Sequence, residues 1–164
     1  MEKTEPIRYE NGRPMLLGGL RRHHPFAESG SGIPGQWQQL KNLLPLPKQL
    51  STTTYGVMCG SNSDSFEYLC GVEVESFSGL SGDIERLRIL EQHYAIFLHA
   101  NHVSTIQTTW NTIYKEWLPS SIYESAHKPD FEVYDKRFDT NTGLGGIEVW
   151  VAVTLKIITR NKKS

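Results

Sequence analysis

The chain has 164 residues, 38% of them hydrophobic and 21% charged, with a net charge of −1. That length supports one domain, over 1–164, with a sizeable core, and the charge gives no overall basic field to hold nucleic acid. No apolar run reaches membrane-spanning length, Met1–Pro6 lacks the apolar core of a signal peptide, and Cys59 and Cys70 lack metal-ligand spacing, so a cytoplasmic protein with reduced thiols is expected.

Residues 1–14 are polar and turn-rich. Met15–Arg22 has the pattern of a first strand, with Gly18 and Gly19 marking a bulge or a close backbone approach. The run Arg21-Arg22-His23-His24 reads as a solvated strand end rather than a nucleic-acid or metal site. After a loop over 25–35, Ile33, Trp37, Leu40 and Leu44 recur at helical spacing. Pro34 lies near that helix's first turn, and Pro45 and Pro47 end it. Thr54–Cys59 and Phe66–Phe77 flank a turn cluster and predict an antiparallel hairpin. Residues 78–91 read as a connector.

His93–Ala100 is apolar on both faces and predicts a central strand. A second helix follows, with Ser104 as N-cap, an apolar face of Ile106, Trp110, Ile113 and Trp117, and Pro119 as its stop. Phe131–Phe138 alternates as a strand. His99 and His102 fall at a strand end and turn and read as structural. The basic stretch Lys156–Lys163 reads as a solvated tail.

The last strand, opened by Gly145 and Gly146, holds Ile147, Val149, Val151 and Val153 on one face and Glu148, Trp150 and Ala152 on the other. A buried carboxylate wants a cation, and an indole face attracts one by roughly 0.5–2 kcal/mol. The pair therefore fits a pocket for an organic cation. Taken alone, the stretch fits a half-exposed strand with Glu148 in water at least as well.

An internal repeat changes that balance. Ile33 and Trp37 map onto Ile106 and Trp110 at an offset of 73 (106 − 33, 110 − 37), and Gly71-Val72-Glu73-Val74 maps onto Gly146-Ile147-Glu148-Val149 at 75 (148 − 73). The chain is thus expected to be an α+β fold. Two βαββ halves, about 15–77 and 92–155, are related by a pseudo-two-fold axis, with an antiparallel sheet, two helices and a central cleft. Glu73 and Glu148 then hold equivalent places facing the cleft.

Five segments in order carry a resemblance: Tyr68–Val74, Tyr94–His99, Thr109–Ser120, Pro129–Tyr134 and Ile147–Val151. They resemble the gyrase-inhibitory-protein-like family, also called AraC-type effector-binding domains. The resemblance implies tandem βαββ halves and a cleft that binds hydrophobic, drug-like, often cationic molecules, with no cofactor. It implies a buried glutamate on the last strand as charge partner, here Glu148, and aromatic cleft walls. The chain looks like the stand-alone form, similar to drug-binding proteins carried on integron gene cassettes. Where that family often has proline in its last strand, this chain has Ala152.

The expected ligand-binding set is Glu148, Trp150, Trp110, Glu73, Tyr68, Tyr94 and Phe97; each aromatic could equally be core packing. Burial is expected to raise the pKa of Glu148. A binding protein for a hydrophobic organic cation is the first reading, with no direct nucleic-acid or membrane contact and with a homodimer or a transcription-related protein as possible partners. The alternative is a hydrolase of strained cyclopropane-type toxins, using Glu73 and Glu148 as acid and base. No nucleophile motif or metal-ligand cluster points to other chemistry.

Overall fold

The computed structural model describes residues 4–157. The strands are β1 (Arg8–Gly12), β2 (Met15–Pro25), β3 (Gln49–Ser61), β4 (Ser65–Val74), β5 (Glu85–Ile89), β6 (Gln92–His99), β7 (Tyr123–Ser125), β8 (Asp130–Tyr134) and β9 (Ile147–Leu155). Helix α1 (Ser29–Lys41) joins β2 to β3. Between β6 and β7 run α2 (Ile106–Thr112), a π-helical turn (Ile113–Trp117) and α3 (Leu118–Ser120). All pairings are antiparallel, in the order β1-β6-β9-β8-β3-β4-β2-β5, and β7 pairs with β9.

Two links fix the shape of this sheet. β1 lies at one end of the order and β2 next to the other end, yet only Arg13 and Pro14 separate them. Leu90 and Glu91 join β5 to β6 across the same gap. Three Cα steps reach about 11 Å at most, so the sheet must roll until its ends nearly meet. The rolled sheet encloses an inner core of Leu17, Val57, Leu69, Tyr94, Ile96 and Phe131. Its outer face is covered by the helices: Leu40 with partly buried Ile33 and Trp37 packs on β4, and Trp110, Ile113 and Trp117 pack on β6 and β9.

The two-fold runs through the middle of the β3–β8 ladder, where Gly56 pairs with Glu132. It relates Val57 to Val133. Val57 pairs with Leu69 and Val133 with Glu148, so the counterpart of Glu148 is Leu69. Glu73 stands further along β4, opposite Leu17. The sequence offset that equated the two glutamates is therefore not the offset of the sheet.

Several local expectations are corrected. Residues 1–14 contain β1, and 78–91 contain β5, with Leu80 and Ile84 buried just before it. Helix α1 begins at Ser29, inside the expected loop; the hydroxyls of Ser29 and Ser31 donate to the Phe26 and Glu28 carbonyls. His102, not Ser104, supplies a side-chain cap here, to the short 3-10 turn Val103–Thr105 that leads into α2, its Nδ1 accepting from the Ser104 N–H at 3.1 Å. β8 ends at Tyr134, where Asp135 and Arg137 form a turn. Lys156 is tied to the Pro119 and Ser121 carbonyls at 2.9 and 2.6 Å, which suits a cation at a helix C-terminus. The rest of the expected tail, 158–164, lies outside the described residues.

Candidate functional site

Strand alternation on β8 sends Phe131 and Val133 inward and Asp130, Glu132 and Tyr134 toward the helices. Glu132 is 3% exposed. Its Oε1 accepts from the Tyr68 hydroxyl at 2.8 Å and the Tyr134 hydroxyl at 2.7 Å, and its Oε2 from the Trp110 indole N–H at 2.8 Å. Gly56, its rung partner, makes this cluster possible. A Cβ there would stand 1.9 Å from the Tyr68 hydroxyl oxygen and 2.7 Å from Glu132 Oε1. Asp130 is also buried; it accepts from the Tyr114 hydroxyl and, at 2.8 Å, from the Ala152 N–H.

Among the described residues, no arginine or lysine pairs with either carboxylate; every donor is neutral. Burial accordingly pushes Asp130 up to about 6, against the pull of Tyr114 and Ala152. Burial also raises Glu132, opposed by its bonds from Trp110, Tyr134 and Tyr68. A groove of about 600 Å³ opens beside Asp130, walled by Phe26, Phe66, Trp110 and Tyr114 with Asp130 and Lys128, and Glu132 lies behind Trp110. Trp110 and Tyr114 stack at 6.4 Å and 27°. An apolar, aromatic groove backed by uncompensated carboxylates has the chemistry of a site for a hydrophobic cation.

Glu148 is in a different state. It is buried on the inner face and held bidentately by Arg8, both bonds 2.9 Å, with Arg137 at 3.0 Å and the Trp150 indole N–H at 3.0 Å. Burial pushes its pKa up, but Arg8, Trp150 and Arg137 together outweigh it, and the net shift is downward. This reverses the expected rise, because two guanidiniums already supply the cation. Glu73 is likewise paired, with Arg13 at 2.5 and 2.8 Å.

The seven expected residues do not converge on one cleft. Trp110 and Tyr68 meet at Glu132 on the helix face. Phe97, on the same face, packs edge-on to Trp117 at 4.9 Å. Glu148, Trp150, Tyr94 and Glu73 belong to the inner face. Asp130, Glu132 and Tyr114 stand outside the expected set. The signal was present in Asp130-Phe131-Glu132-Val133-Tyr134, where acids alternate with apolar residues on a strand otherwise fit for a core.

Residues 6–154 match the model of the GyrI-like small molecule binding domain family. Curated proteins give no match. Among solved structures, SAV2435 bound to tetraphenylphosphonium is 16% identical with a TM-score of 0.71, covering 94% of each chain. The Vibrio cholerae integron cassette protein VCH_CASS2 is 16% identical with a TM-score of 0.65, covering 93% of this chain and 98% of its own. A hydrolase encoded by lin2189 from Listeria innocua is 10% identical with a TM-score of 0.56, covering 93% of each chain. At these identities the likenesses establish the fold.

Proposed function

The chain belongs to the GyrI-like small molecule binding domain family, and from that premise we propose that it binds a hydrophobic organic cation in the groove on the helix face. Asp130 and Glu132 supply the charge, and Trp110 and Tyr114 the aromatic platform. One observation carries this reading: two buried carboxylates whose hydrogen-bond partners among the described residues are all neutral. A cation of low hydration recovers the charge energy that burial withholds. The groove wall is largely apolar and non-directional, so selectivity is broad. Glu148 and Glu73, each held by arginine, serve the rolled sheet in this reading. The chain then sequesters the cation or reports it in trans to a protein partner.

Calorimetric titration with tetraphenylphosphonium tests the proposal. Glu132→Gln and Asp130→Asn are expected to lower affinity by about tenfold or more each, since a hydrogen-bonded ionic contact is worth roughly 1.5–3 kcal/mol. A neutral apolar compound of the same shape is expected to lose much less. Equal losses for both compounds would remove the carboxylates from the charge role.

A hydrolytic reading rests on the same cluster. A glutamic acid with a raised pKa, held between two phenols and an indole, is placed to deliver a proton. Mass balance separates the two readings. Unchanged compound recovered after incubation supports binding; consumption that stops in Glu132→Gln supports hydrolysis.

A further inference from the structure

The rolled sheet has a second recess, on the face opposite the helices. It holds about 280 Å³ and opens between β1 and the start of β2. Its walls are Tyr55, Tyr94, Phe131 and Trp150, with Met15 and Val133. Phe131 and Trp150 lie nearly parallel, 5.3 Å apart at 21°, and Tyr94 meets both edge-on at 5.2 and 5.3 Å. None of these aromatic faces lies on the groove described above.

Two observations say what the recess would hold. Tyr94 is 2% exposed and lines the recess, yet its hydroxyl has no hydrogen-bond partner in the protein among the described residues; half-buried Tyr55 also lines it, and its hydroxyl has none either. Neither hydroxyl is sealed from solvent, so each is open to a polar group that enters the recess, a bond worth roughly 0.5–1.5 kcal/mol net. The ions at the mouth, by contrast, are already paired. Arg8 is bound to Glu148 and Glu10, and Arg13 to Glu73. No net charge there waits for a ligand. The volume falls below the roughly 300–1,000 Å³ of drug-sized sites.

We infer that this recess is a second binding site, for a small, flat, uncharged aromatic molecule of one or two rings whose polar group bonds to the Tyr94 and Tyr55 hydroxyls. The rings stack among Phe131, Trp150 and Tyr94, and the polar group faces the phenols. The site is built from different side chains than the cation groove and does not depend on it.

Indole is a suitable probe, titrated calorimetrically into wild type and three variants. Tyr94→Phe removes only the hydroxyl and is expected to weaken indole about three- to tenfold, the range for one net hydrogen bond. Val133→Trp fills the recess and is expected to abolish binding. Gln107→Trp, at an exposed position on the wall of the other groove, narrows that groove and is expected to leave indole affinity unchanged. The isosteric Tyr94→Phe keeps the test valid if Val133→Trp does not fold. Indole that fails to bind wild type, that binds either recess variant undiminished, or that is lost with Gln107→Trp overturns the inference. The tetraphenylphosphonium titration reads the groove separately, so either proposal can fail while the other stands.

Discussion

At the scale of single residues, Asp130 is the group whose ionisation matters most. Its carboxyl titrates near 6 in the folded chain against an ordinary value of 3.8. The folded state therefore binds the proton more tightly than the unfolded state. Asp130 exacts no penalty below about pH 4; stability falls as pH rises from there through 6, and the full penalty, about 3 kcal/mol, remains above that. Asp130→Asn is expected to erase this part of the pH dependence and to raise stability at pH 7, read as the difference between wild-type and variant denaturation curves across pH 4–7. Ligand affinity runs the other way. If the proposed site holds, a cation prefers the carboxylate, so wild-type affinity for tetraphenylphosphonium is expected to rise with pH through 6 and binding to release protons. A flat affinity profile over that range would leave Asp130 outside the site.

At the scale of elements, β1 acts as a strap. It pairs with β6 through five rungs and is pinned at one end by Arg8 on Glu148 and at the other by Arg13 on Glu73. Exposed ion pairs contribute little, but Glu148 is buried, and stripping it of cations leaves an uncompensated charge. Arg8→Ala alone leaves Arg137 in place and is expected to cost about 1 kcal/mol. Arg8→Ala with Arg137→Ala is expected to cost about 3–5 kcal/mol, most of it recovered by adding Glu148→Gln, as chemical denaturation of the series would read. The elements themselves were largely legible. Periodicity located both helices and the strands β2, β3, β4, β6, β8 and β9, and order with spacing gave the repeat. β1 and β5 were not legible, because each carries charged residues at alternate or successive positions and is defined by the partner it pairs with, and β7, three residues long, is too short to show alternation. The site was half legible. Trp110 and Tyr68 stood out as aromatics, while Glu132 depended on which strand face the helices cover, which periodicity does not give. The π-helical turn was also hidden. Pro119 has no N–H to donate to the preceding turn, and a wider turn lies just before it.

At the scale of the whole molecule, the two short links carry a further meaning. Each half sends its leading strand to the other: β1 precedes β2 but pairs with β6, and β5 precedes β6 but pairs with β2. This is a reciprocal strand exchange within one chain, the arrangement two separate copies reach by domain swapping. A fragment ending after β4 would carry β1 with no β6 to receive it, and the unpaired edge of β2 in a second copy would offer the vacant place. Such a half-gene product is expected to associate as a symmetric dimer, with β3 against β3 at the seam and a glycine in place of each Glu132. It would rebuild the rolled sheet from two identical halves, without the charge site.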